Sequence, residues 1–127
     1  MIAVDTSALM AILQREPKGS ICRSRMDAEA DIVISGVTVA EALIVAGYRA
    51  VHEQMAALIE GYNCTVVSVT AASARRVAAA HRRWGKGRHA AGLNFGDCFA
   101  YEVAKQHDCP LLFVGDDFAK TDVQSAL

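Results

Sequence analysis

Five carboxylates stand where acidic side chains can do chemistry: Asp5, Glu41, Asp97 and the adjacent pair Asp116 and Asp117. Asp5 closes a short apolar run. Glu41 and Asp97 fall in the first turns of expected helices, and the pair follows a second apolar run, LLFV. If the apolar runs are strands of a right-handed parallel sheet, all these positions face one edge. The crevice beyond the carboxyl ends of the strands is where open α/β sheets build their sites. Carboxylates that converge there repel one another unless a counter-charge offsets them. A hard divalent cation does this, and an all-oxygen donor set suits Mg²⁺ or Mn²⁺. Such an ion can activate water and stabilise the oxygens of an in-line phosphoryl displacement. No Ser-His-Asp or Cys-His order and no GxxxxGK phosphate loop points to other chemistry.

Each acid also has an ordinary use. Thr38-x-x-Glu41 is written like a capping box, and Asn94-x-x-Asp97 is a close relative of one. Asp5 can cap a helix, and Asp116-Asp117 can be a surface turn. Capping does not explain why the acids end elements on one edge. Nor does it require Glu41 to lie on an apolar stripe, where Glu41, Ile44, Tyr48, Val51, Met55 and Leu58 recur at spacings of three and four.

The elements that must position these acids follow from apolar runs and caps. Ile2–Val4 reads as a strand, stopped by Asp5-Thr6-Ser7 ahead of a helix over 8–14. Pro17 can open the next helix, ending near Ala28. A second strand covers 32–35, and one long helix runs from Thr38 to a stop at Gly61. A third strand covers 65–69. Thr70 opens a helix with Ala74, Val77, Ala78 and His81 on one face and Arg75, Arg76, Arg82, Arg83 and Lys86 on the other. The glycine-bearing loop GKGRHAAG leads into the helix of Asp97. Pro110 then precedes a buried strand, Phe118 anchors a last turn, and Val123 belongs to a short edge strand. Strands alternating with helices predict a three-layer α/β/α domain around a central, mostly parallel sheet.

Composition sets the outer bounds. At 127 residues with 53% hydrophobic content, residues 1–127 are expected to form one domain with one sizeable core. No run is long enough for a membrane span, and MIAVDTSALM lacks the basic start of a secretory signal. The four cysteines are scattered without a CxxC pair, which fits buried thiols in a cytoplasm. Net charge is −1, yet six of the thirteen Lys and Arg lie between Arg75 and Arg88. Arg82, Arg83, Lys86 and Arg88 can grip a phosphate backbone or simply form a solvated face. Trp84 and Tyr101 can stack on bases but are assigned to core or rim packing, His81 to the core, and Cys98 to packing behind Asp97.

At these residues the chain resembles PIN-domain ribonucleases, specifically the VapC toxins of bacterial toxin–antitoxin pairs. The resemblance is carried by VDTSAL, TVAEAL, LNFGDCFAYEVAK and PLLFVGDDFAKTD, in the family's order along nearly the whole chain. It implies a Mg²⁺- or Mn²⁺-dependent endoribonuclease that cleaves RNA and arrests translation. It also implies neutralisation by a VapB-like antitoxin and a homodimer. The family's acids fall on Asp5, Glu41, Asp97 and one of Asp116 and Asp117, with Asp116 preferred here and an ungapped register favouring Asp117. Ser7, and less closely Thr6, match the small polar position that supports the first Asp. By resemblance, Asp5 and Asp97 ligate the metal, Glu41 ligates it or orients the attacking water, and the fourth acid completes the shell. The main alternative is a PIN-like binding module without activity. A receiver domain would need an acid after strand three, where Ser68-Val69-Thr70 stands, and a haloacid-dehalogenase-type phosphatase would need Asp-x-Asp after strand one.

Overall fold

The computed structural model describes residues Met1–Leu127. Its elements are β1 (Ile2–Val4), α1 (Thr6–Leu13), α2 (Gly19–Asp27), β2 (Ile32–Ser35), α3 (Gly36–Tyr48), α4 (His52–Gly61), β3 (Thr65–Val67), α5 (Ala71–Trp84), α6 (Phe95–Gln106) and β4 (Leu111–Leu112). A single 3₁₀ turn, Phe118–Lys120, follows. The four strands are all parallel, in the order β3-β2-β1-β4. Alternate strand residues feed two cores. Ile2, Val4, Ile32, Ile34 and Leu112 pack with α1–α4, whereas Ala3, Val33, Leu111 and Phe113 pack with α5 and α6. A strand buried on both faces has no polar side, which is why these runs are continuously apolar. The three-layer α/β/α architecture is the one expected. No helix is long and apolar enough to cross a membrane.

Three local expectations are corrected. The helix expected to run from Thr38 to Gly61 is broken in two. Ala50 takes a left-handed turn at φ 59, and the Val51 N–H returns to the Ala46 carbonyl at 2.9 Å. The break redirects α4 so that Met55 and Ile59 reach the core that α3 also covers. Within α3 the buried positions are Thr38, Ala42 and Ala46, while Ile44 and Tyr48 are 62% and 87% exposed. The apolar stripe read from the larger side chains is thus rotated off the true face: small residues let α3 sit close to its neighbours, and bulk is left outside. Glu41 stands half-buried at the rim of that face. The helix also starts earlier than expected, with Ser35 as its cap through a 3.2 Å bond from the Val37 N–H. Thr38 is therefore inside the helix, and Glu41 lies in the second turn, where it caps nothing.

The other two corrections concern sheet edges and α5. β3 ends at Val67 because its partner ends at Ser35, opposite it in register. The expected strand at Val123 is reduced to a single bridge between Leu111 and Ser125. On α5 the buried face is Ser73, Val77, Ala80 and Trp84. His81 is half-buried outside this core. Trp84 and Tyr101 pack as expected: the Trp84 indole N–H donates to the Tyr101 hydroxyl (3.0 Å), which donates to Asp122 (2.6 Å).

Candidate active site

Asp5 leaves β1 at its carboxyl end and caps α1. Its Oδ2 accepts from the Ser7 N–H (3.0 Å) and the Ser7 hydroxyl (2.6 Å). Its Oδ1 is buried and has no partner. An unpaired oxygen on a carboxylate that is only 3% exposed is costly unless a donor or cation faces it. The Ser7 hydroxyl also accepts from the Val114 N–H at 3.0 Å, joining the first acid to the chain that leaves β4. Beyond Val114, Gly115 turns at φ +111 and presents Asp116 and Asp117. The Thr6 hydroxyl donates to Glu41 Oε1 at 2.6 Å, so consecutive residues hold two of the acids.

Asp97 comes from the other side of the sheet, in the first turn of α6. The capping box expected with Asn94 is present: the Asp97 N–H donates to Asn94 Oδ1 (2.8 Å), and the Asn94 N–H donates to Asp97 Oδ2 (3.0 Å). Capping fixes the rotamer through one oxygen. Asp5, Ser7, Asn94, Asp97, Asp116 and Asp117 line one cleft of about 380 Å³. Glu41 is not part of that lining, but its carboxylate lies against Gly96, one residue before Asp97, and its charge acts on Asp97. Its Oε2 lies where a Cβ on Gly96 would come within 2.1 Å, so this position needs glycine for the carboxylate to fit. Gly96 was not singled out in the sequence, although its place between Asn94 and Asp97 in LNFGD was the available signal.

The acids act on one another through their charges. Burial pushes the Asp5 carboxyl upward against the opposing bonds from Ser7, and the charge of Glu41 adds to the rise. Asp97 is pushed up to about 6, chiefly by burial, opposed by the Asn94 N–H and reinforced by Asp5, Glu41 and Asp117. Of the last pair it is Asp117 whose charge acts on Asp97. The carboxyl groups do not close into a ready three-ligand cage. A buried unpaired oxygen, all-oxygen donors and unrelieved repulsion fit a hard divalent cation. A soft or nitrogen-seeking metal finds no partners here, since Cys98 behind Asp97 is a buried thiol pushed up to about 11 by burial and by Asp97.

A pH dependence follows. Folded Asp97 holds its proton up to about 6, whereas the unfolded value is near 3.8. Ionising it therefore weakens the folded state above 6, and that penalty is relieved as pH falls through 6 toward 3.8. The lowered carboxyls of Glu29 and Asp122 act in the opposite direction only near and below their ordinary values. In EDTA the melting temperature should rise as pH is lowered from 7.5 to 5, with a smaller rise in Asp97→Asn. A flat or falling profile in wild type would refute the repulsion. Ser7→Ala offers a second check. It removes the hydroxyl bond to Asp5, leaving the one from the Ser7 N–H, and orphans the Val114 N–H, at about 1–3 kcal/mol in denaturant melts. Activity should fall about 10–100-fold, as when a group orienting a metal ligand is lost.

The basic cluster divides. Arg76 pairs with Glu102 at 2.8 Å, and Arg83 lies over Trp84 and 3.4 Å from Asp122. Lys86 is exposed away from the acids' cleft. Arg82 and Arg88 have no ion-pair partner and line a groove beside α6.

A parallel sheet with an acid-lined cleft at its carboxyl edge is the arrangement of a PIN domain, and the PIN domain family model matches residues 2–124. A VapC ribonuclease of Mycobacterium bovis is 37% identical over 125 residues, covering 96% of this chain and 95% of its own. Ribonuclease VapC of Mycolicibacterium smegmatis is 38% identical, covering 96% and 97%. Ribonuclease VapC36 of Mycobacterium tuberculosis is 41% identical, covering 95% and 90%. The chain belongs to the VapC ribonucleases of the PIN-domain family. Among solved structures, Mycobacterium tuberculosis VapC20, described as a sarcin–ricin loop cleaving toxin, superposes with a TM-score of 0.77 at 18% identity, covering 97% of this chain and 96% of that one. A toxin–antitoxin complex from Klebsiella pneumoniae gives 0.71 at 17% identity, covering 96% and 93%. At these identities the two structures support the fold.

Proposed function

We propose that residues 1–127 act as one PIN domain, a metal-dependent endoribonuclease toxin that cleaves cellular RNA in the cytoplasm and so inhibits translation. The observation that carries this reading is the cleft lined by Asp5, Asp97, Asp116 and Asp117, with the charge of Glu41 acting on Asp97 and a buried Asp5 oxygen that no protein group satisfies. Asp5 and Asp97 would hold Mg²⁺ or Mn²⁺ directly. Asp116 or Asp117, both of which line the cleft, completes the acidic set, and the charge of Asp117 acts on Asp97. The bound ion supplies water activation and charge neutralisation at the scissile phosphate. The chain's own contribution is positioning. Ser7 aims Asp5, the Asn94 cap aims Asp97, and Thr6 pins one oxygen of Glu41 so that the carboxylate can orient the attacking water. Relatives named as ribonucleases support the activity, and a solved toxin–antitoxin complex of the same fold supports a VapB-like antitoxin as partner. A homodimer is part of the same proposal.

The test is cleavage of total bacterial RNA by purified, antitoxin-free protein with Mg²⁺ or Mn²⁺, then with excess EDTA. Discrete fragments that vanish on chelation support the reading. A folded protein that binds the metal but cuts no RNA would favour an inactive binding module instead.

A further inference from the structure

Beside the acidic cleft, between α5 and α6, lies a second groove of about 560 Å³. Val77, Cys98 and Phe99 form its apolar floor, and His81, Arg82 and Arg88 stand around it. Its wall nearest the acids is Phe95, the first residue of α6 and two positions before Asp97. This ring is 72% exposed, and its aromatic contact is an edge-on approach to Phe99 at 4.9 Å between centroids. A phenyl ring so placed gives little to the folded core. The arginines are equally uncommitted, since neither Arg82 nor Arg88 meets a carboxylate, unlike Arg76 and Arg83. Free cations on an apolar groove adjoining a carboxylate cluster complement a ligand that is itself part flat and apolar, part anionic.

We propose that this groove takes one unpaired base of the RNA, next to the scissile phosphate, stacked on Phe95, with Arg82 and Arg88 on the adjoining backbone phosphates. The proposal rests on the nuclease reading and deepens it by assigning a base-stacking subsite to this groove. Bases within an A-form helix are already stacked and cannot turn into such a groove, whereas splayed bases stack readily on aromatic side chains. Basic residues placed only for non-specific attraction would need no apolar floor. An apolar side chain of a partner protein is the rival occupant, but it would leave both guanidinium groups without an anion.

The experiment uses the Asp97→Asn protein, whose RNA should stay intact, with and without Phe95→Ala or Phe95→Tyr. Anisotropy in Mg²⁺ reads the binding of a labelled single-stranded decaribonucleotide of mixed sequence and of the matching RNA duplex. Phe95→Ala should weaken single-strand binding about tenfold or more, the scale of a lost stacking platform, while duplex binding changes less than twofold. Phe95→Tyr should restore it. Unchanged single-strand affinity, or equal losses for strand and duplex, overturns the subsite. Loss of antitoxin binding alone in Phe95→Ala overturns it in favour of the protein occupant. The nuclease reading is tested separately, since wild-type cleavage can fail while Phe95-dependent binding persists, or the reverse.

Discussion

Asp97→Asn is expected to lose about a thousandfold or more in RNA cleavage while folding as well as wild type. The loss corresponds to several kcal/mol of charge stabilisation that the proposed carboxylate-held metal would supply. The fold survives because asparagine can still accept from the Asn94 N–H, so at most about 1 kcal/mol of capping is at stake. Above pH 6 the variant should even match or exceed wild type in EDTA, because the charge raised in energy by burial and by Asp5, Glu41 and Asp117 is gone. Cleavage assays and thermal melts of the same preparation check both halves. A variant that unfolds, with its remaining folded fraction fully active, would make Asp97 structural. Full activity in a stable variant would remove it from the site.

Gly96→Ala should lower cleavage by about a hundredfold, the cost of displacing a positioned group by about an ångström. The new Cβ would fall within 2.1 Å of Glu41 Oε2. A carboxylate at the end of a flexible side chain can swing aside, so stability should change little. What it cannot do is swing aside and keep both the 2.6 Å bond from Thr6 and its place beside Asp97. The informative result is the split between a large loss in kcat and an unchanged melt. Equal losses in both would mean that Gly96 serves packing alone, and unchanged kinetics would remove Glu41 from the reaction.

The acids and the layer order were legible in the sequence for a simple reason. A strand buried on both faces must be apolar throughout, so its end is marked by the first polar residue, and Asp5 and the Gly115-Asp116-Asp117 turn are such marks. The Asn94–Asp97 capping box was equally plain, because capping depends on residues three apart in one turn. Glu41 was harder. Its helix begins at Gly36 under a Ser35 cap, so the local pattern Thr38-x-x-Glu41 described a cap that does not form, and the acid is held by Thr6 from another element. The orientation of α3 was also decided by packing, since close approach favoured Ala42 and Ala46 over Ile44 and Tyr48.

The basic cluster shows the same division. As a sequence, Arg82, Arg83, Lys86 and Arg88 are interchangeable charges. Only the folded chain supplies Asp122 to engage Arg83 and leaves Arg82 and Arg88 beside Phe95. Which types of residue end the strands, and hence the chemistry available, was determined locally by the sequence. Which carboxylates meet, which glycine admits Glu41 and which cations stay free were decided by contacts between residues far apart in the chain, and local periodicity carries no record of those.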